Sequence, residues 1–333
     1  MRSPALSRRA LLTGAGAVLA VAVTGCAKKS GDAGSFPSKT LQLMAPAKPG
    51  GGWDQTARAL QKALTEAKLA ANGVEVYNVE GAAGTLGLAQ LATKNKGDAH
   101  QLMVMGLVMV GGVVTNKSPV TLDQTTPIAT LTAEQEVIVV PKDSPYQDLA
   151  ALMNAAKTAP ASVNWGGGSA GGTDQILIGL LAKAAGADPK AMKYVAYSGG
   201  GESKAALLAG DLTAAVSGVG EYADLVTAGE VRALAVSGAA APAKLPSAPT
   251  IKAAGFDVEL MNWRGLASPP GLKDDEKAAV VGLVDKLHAS PQWQQTLTDQ
   301  GWEDFYKSGE DAKAFFTAET QRIKAVLTEI GLA

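Results

Sequence analysis

Four times in this chain an apolar strand pattern runs into a glycine-rich turn and then into a helical pattern. The turns read 49-PGGG-52, 81-GAAG-84, 166-GGGSAGG-172 and 199-GGG-201. Strand–turn–helix units joined by short turns need parallel neighbours, because a parallel strand is reached only through a crossover. That places the chain in the α/β class. Further strand patterns at 102-LMVMG-106, 136-EVIVVP-141, 213-TAAVSG-218 and 231-VRALAVSG-238 extend the same scheme. After 102–106 the run to residue 114 reads as a loop, because of Gly111 and Gly112. In the first helix Ala57, Leu60, Leu64 and Ala67 share a face. Beyond residue 255 the pattern changes: an extended stretch over 256–270, then helices over 273–289, 291–300 and 309–330. Ser290 and Pro291 open the second of these as N-cap and first helical residue.

The same turns point to function. In open parallel sheets, ligands bind beyond the carboxyl ends of the strands. The first amides of each following helix have no partner within the helix, and the helix dipole adds positive character there. Glycine lets an anionic group approach these amides, so a carboxylate is held without Lys or Arg. Two of the turns carry one device: Gly51-Gly52-Trp53-Asp54-Gln55 and Gly171-Gly172-Thr173-Asp174-Gln175. Asp54 would repel an anion, so its expected role is to accept amides at its own helix start and hold the loop.

Other chemistries are weaker. With one Cys and two His, neither an intrachain disulfide nor a Cys/His zinc cluster forms. Gly166, Gly168 and Gly171 match a dinucleotide fingerprint, but the next strand ends in Tyr197-Ser198, without the acidic residue that motif needs. Gly167, Ser169 and Gly171 match a nucleophile elbow. Its base would be His100 or His288, and His288 near a helix C-terminus is explained by the dipole. Trp53, Trp165, Tyr197 and Trp263 fall at strand ends or turns, where they wall a pocket or fill a core. Arg264 beside Trp263 is placed to pair a second carboxylate or to serve structure.

The amino terminus is a targeting segment. Arg8 and Arg9 precede the short apolar run 10-ALLTGAGAVLAVAV-23, followed by 23-VTGC-26, which resembles a bacterial lipobox. The expectation is a signal peptide over 1–25 of the lipoprotein type, exported by the twin-arginine or the general route, with Cys26 lipidated and 26–38 a flexible tether. Removing residues 1–25 takes three arginines and no acid, moving the net charge from −1 to −4. So mildly acidic a protein carries no nucleic-acid footprint.

The ordered segments 44-MAPAKPGGGWDQTAR-58, 79-VEGAAGTLG-87, 136-EVIVVPKDSP-145, 164-NWGGGSAGG-172, 194-YVAYSGGGESKAALLAGDLTAAVSG-218 and 263-WRGLASPPG-271 resemble the extracytoplasmic solute-binding proteins of tripartite tricarboxylate transporters, the TctC/Bug family. The resemblance implies a type II periplasmic-binding-protein fold: two α/β lobes with a ligand cleft between them. Lobe 1 would comprise 39–135 and 260–333, and lobe 2 would be 136–259. The hinge would run near 133–138 and 257–264. Carried onto this chain, Gly51, Gly52, Trp53 and Asp54 match one clamp, with Ala82 and Thr85 from the second turn. Gly168, Ser169, Gly172 and Thr173 match the facing clamp, and Tyr197, Ser198, Ser217 and Trp263 line the space. Trp53 stands where the family often has a small or hydroxylated residue, and Ala83 where glycine is common. The implied protein is a lipid-anchored monomer outside the cytoplasmic membrane. It needs no cofactor or catalysis, and hands a small organic acid to a permease of one large and one small subunit. Alternatives are a receptor for a membrane sensor and a serine hydrolase using Ser169.

Overall fold

A computed structural model describes residues 36–333. Residues 1–25, Cys26 and the tether up to residue 35, with their expected roles, lie outside the described residues. The chain runs through β1 (Leu41–Ala45), α1 (Gly52–Glu66), β2 (Val74–Asn78), α2 (Thr85–Lys94), β3 (Gln101–Gly106), α3 (Leu107–Thr115) and β4 (Thr126–Pro141). It continues through α4 (Leu149–Thr158), β5 (Asn164–Gly167), α5 (Thr173–Ala184), β6 (Lys193–Ala196), α6 (Gly200–Leu208), β7 (Ala214–Gly218), α7 (Val219–Thr227) and β8 (Val231–Val236). Last come β9 (Met261–Ser268), α8 (Asp274–His288), α9 (Pro291–Gln300), β10 (Glu303–Ser308) and α10 (Gly309–Glu329).

The strands form one sheet in the order β2-β1-β3-β9-β4-β7-β5-β6, with β8 and β10 also paired to β4. β1 lies parallel to β2 and β3, and β5 parallel to β6 and β7. β4 joins the two sections. Its first part, Thr126 to Gln135, pairs antiparallel with β9 and partly with β10. From Glu136 onward it pairs antiparallel with β7 and β8. A strand so covered is buried on both faces, and every residue from Ile128 to Val140 is buried.

The turns after β1, β2, β5 and β6 leave the carboxyl ends of parallel strands, as the glycine pattern requires. α1 buries Ala57, Leu60, Ala63 and Leu64 on its sheet face, while Ala67 is only half-buried. α9 opens as expected: Trp293 N donates to Ser290 Oγ at 3.2 Å, a cap whose loss typically costs about 1 kcal/mol.

Four features depart from the sequence reading. The stretch after β3 is the helix α3, where a loop was expected. Its apolar residues leave no polar face to give a helical period, and its two glycines imitate a turn. β4 begins ten residues earlier than 136, and β10 was not foreseen. β10, with sequence EDFYKS, is polar enough to pass for a loop. Finally, Trp263 is core, not pocket. It is 2% exposed, stacks on Phe316 with centroids 5.3 Å apart, and donates from Nε1 to Glu319 Oε1 at 3.1 Å. These contacts dock α10 against β9.

Candidate functional site

The four glycine turns converge on one cleft of about 620 Å³, within the usual range for a small-molecule site. One wall comes from Pro46–Lys48, Gly51–Trp53 and Glu80–Gly84; the other comes from Gly168–Ala170, Ala196–Gly200 and Ser217–Gly218. Val108, Asn262 and Arg264 contribute between them.

In both copies of the Gly-Gly-x-Asp-Gln device the Asp accepts from a glycine amide of its own loop, while the Gln is used differently. Asp54 Oδ2 accepts from Gly50 N at 2.8 Å, and Gln55 Nε2 donates to Gly50 O at 3.0 Å. In the second copy Asp174 Oδ2 accepts from Gly168 N at 2.5 Å, and Gln175 Oε1 accepts from Gly171 N at 2.8 Å. Each acid–amide pair staples a glycine loop to the helix behind it. Asp54 is fully occupied, since Asn78 and Arg58 also donate to it at 3.0 and 2.9 Å. Burial pushes its carboxyl up, but these hydrogen bonds outweigh burial and hold it below the ordinary range.

Of the residues expected in the site, Gly51, Gly52, Trp53, Ala82, Gly168, Ser169, Tyr197, Ser198 and Ser217 line the cleft. Asp54, Thr85, Gly172, Thr173 and Trp263 stand behind its wall. Thr85 Oγ1 donates to Ala82 O at 2.9 Å, and Thr173 Oγ1 bonds Asn262 Oδ1 at 3.3 Å. Gly172 N donates to Ser169 O, closing the turn that holds Ser169. Trp53 is seated by Gly84, where a Cβ would stand 2.6 Å from the indole and where φ is +84°.

The more telling residues are charged. Arg264, on β9, is 5% exposed and reaches the cleft wall beside the start of α1. Its Nη2 donates to Glu134 Oε2 at 2.9 Å, its one hydrogen bond among the described residues. Gly52 makes room for it: a Cβ there would lie 2.7 Å from Nη2. The guanidinium and the first amides of α1 thus sit together, both favouring an anion. Across the cleft Lys48 Nζ meets Glu202 Oε1 at 3.2 Å.

Around Arg264 lie four carboxyls: Glu134 and Glu136 on β4, Asp174 on α5 and Glu221 on α7. Glu134 also accepts from Gly220 N at 2.8 Å. Glu136 is fully buried, and neither of its oxygens accepts a hydrogen bond from a described donor. Burial, reinforced by the charges of Asp174 and Glu134, drives it well above the carboxylate range. Burial likewise raises Asp174 to about 6, against the opposing bond from Gly168. It raises Glu221 to about 7, with Asp174 and Glu134 adding to the shift. The sequence did carry a signal for part of this cluster: Glu134 and Glu136 stand two apart, just before the apolar run 137-VIVV-140, hence on one face of a strand.

Neither histidine lines the cleft. His100 contacts Ser38, and His288 stacks on Tyr306 at 3.8 Å while bonding Asp304. Ser169 therefore has no imidazole base beside it.

Comparison with known proteins agrees with this architecture. Residues 56–332 match the model of the tripartite tricarboxylate transporter family receptor, TctC. The UPF0065 protein in the tcbD-tcbE intergenic region of a Pseudomonas species is 27% identical over 98% of this chain and 96% of its own length. MatC from Rhodopseudomonas palustris, solved with bound malate, superposes with a TM-score of 0.77 at 23% identity, covering 88% of this chain and all of that one. A second R. palustris protein, solved with adipate, gives 0.78 at 22% identity over 89% of this chain and 98% of its own. The likeness in fold is to periplasmic binding proteins, and the family is one of solute-binding receptors. By its sequence from residue 56 onward and by its fold, this chain belongs to the TctC family of tripartite tricarboxylate transporter receptors.

Proposed function

We propose that this receptor stands outside the cytoplasmic membrane, held by a lipid on Cys26, and captures a small organic acid in its cleft. It then hands the acid to a permease of one large and one small subunit. The observation that carries this reading is the guanidinium of Arg264 set beside the free amide end of α1, on the wall of the cleft. One ligand carboxylate sits there, against Gly51, Gly52 and Trp53. Gly168, Ser169, Tyr197, Ser198 and Ser217 face it from the other wall. The malate and adipate bound by two proteins of like fold support a carboxylate ligand. Lobe 1, 39–135 with 260–333, closes on lobe 2, 136–259, by a hinge in β4 and in the segment leading into β9.

The test is a thermal-shift screen of the purified mature protein against mono-, di- and tricarboxylates, aromatic acids and amino acids. A ligand at about one hundred times its Kd adds about 2.7 kcal/mol, a rise of roughly 5–10 °C for a chain of this size. A shift with one acid class is expected. Uptake of that acid by cells should be lost when the gene is deleted, and Cys26→Ser should release the protein from the membrane fraction. A protein indifferent to every acid in the panel, and free of co-purified acid by mass spectrometry, would overturn the reading.

A further inference from the structure

The charges of the cleft do not suit a ligand that is anionic at both ends. Its two cationic side chains are already engaged, Arg264 with Glu134 and Lys48 with Glu202. Glu221 faces the cleft, and among the described residues its carboxyl makes no hydrogen bond and no ion pair. Lys204 reaches only its backbone carbonyl, at 3.4 Å. Asp174 lies on the same wall. Behind these two is Glu136, fully buried, with both oxygens lacking a donor. The fold provides for this arrangement: a Cβ on Gly200 would overlap the Glu221 carboxyl, so only glycine lets that side chain lie against the start of α6.

Burying four carboxyls around a single arginine is costly unless something positive joins them. Among the described residues no group of acidic side chains is arranged to hold a metal ion; protons on the raised carboxyls relieve part of this cost, and an organic cation entering the cleft would relieve the rest. We propose that the cleft takes a zwitterion: an amino acid whose carboxylate sits at Arg264 and the start of α1, and whose ammonium sits on Glu221 and Asp174. The proposal rests on carboxylate capture and names the second end of the ligand. A plain dicarboxylate would set its far carboxylate against Glu221, whereas an ammonium gains charge-assisted hydrogen bonds there. Glu221 and Asp174 hold protons more tightly than ordinary carboxyls. An arriving ammonium would drive those protons off.

The experiment uses matched pairs, 4-aminobutyrate against succinate and glutamate against glutarate, titrated calorimetrically into the mature protein in buffers of different ionisation enthalpy at pH 6.5. The amino member of at least one pair should bind at least about tenfold more tightly, as a charge-assisted hydrogen bond predicts, and should release protons to the buffer. Glu221→Gln should bring that pair to within about twofold. Should that variant fold poorly, proton release by the wild type decides alone. Succinate or glutarate binding as tightly as its amino partner, or amine binding without proton release, overturns the zwitterion and leaves carboxylate capture standing. Butylamine binding as well as 4-aminobutyrate overturns both; no binding by any of the four acids overturns the zwitterion, and the wider acid screen then decides carboxylate capture.

Discussion

At position 52 the side chain is a single hydrogen because Arg264 needs the space. A Cβ would stand 2.7 Å from Nη2 and 3.2 Å from Cζ. Gly52→Val therefore pushes the guanidinium off the start of α1 and strains its bond to Glu134, while leaving α1 itself able to form, since Gly52 has no positive φ. The expected outcome is a folded protein by circular dichroism whose affinity for its acid drops by more than about tenfold, the worth of one charge-assisted contact. Affinity within twofold of the wild type would count against Arg264 as the anion's partner. The sequence made the openness of this turn legible but not its occupant, because Arg264 arrives from a distant strand. Asp54 was legible more fully: an acid two residues into a helix, after glycines, has its own loop amides within reach, and it takes Gly50 N. Trp263 was not legible, since an aromatic beside an arginine at a strand end looks the same whether the strand's next layer is solvent or a helix. Only the docking of α10 decides it.

Among the elements, α3 bears directly on both glycine walls. A Cβ on Gly112 would stand 2.5 Å from that of Ala83, in the turn before α2, and one on Gly111 would overlap the carbonyl oxygen of Gly171. Both contacts involve turn atoms held by their own hydrogen bonds, so α3 sets how closely the turns approach. Gly111→Ala should overpack this junction by about 1–3 kcal/mol, read as a lower urea midpoint with an unchanged slope, and should weaken ligand binding along with it. Unchanged stability would mean that the Ser169–Gly172 turn moves freely, and α3 would lose this role. The same helix shows where sequence patterns stop. A helix with apolar residues and glycine on every side has no amphipathic period, so its periodicity says nothing. The early part of β4 hides for a related reason: buried on both faces, it mixes Thr, Ala and Glu without alternation. By contrast α1, α8 and α9 each bury one side and expose the other, and the limits of α8 and α9 were read within a residue.

For the molecule as a whole, the buried acids set how stability depends on pH. Glu136 on β4 faces Glu134 on the same strand, Asp174 on α5, Glu221 on α7 and Arg264 on β9, with Tyr194 of β6 nearby. Glu136, Asp174 and Glu221 all hold protons more tightly folded than unfolded, where a carboxyl titrates near about 4. Between those values the native state binds more protons, so the stability these groups lend is complete below about pH 4 and is lost as pH rises toward 7. Asp54, Glu202 and Glu310 are shifted the other way, and their contribution changes only at acid pH, below the unfolded carboxyl range. His100, lowered chiefly by burial, adds a little stability as pH climbs to about 6.5, a single group against three. The protein without added ligand should therefore melt at a lower temperature at pH 8 than at pH 5. Glu136→Gln keeps the shape and removes the charge. It should raise the midpoint at pH 8 by roughly 3–6 °C, change it little at pH 5, and so flatten the profile. A wild-type midpoint that rises from pH 5 to pH 8, or a Glu136→Gln profile parallel to the wild type, would show that the cluster titrates as an ordinary solvated surface. The acids would then impose no charge preference on whatever enters the cleft, and the case for a cationic end to the ligand would fall with them.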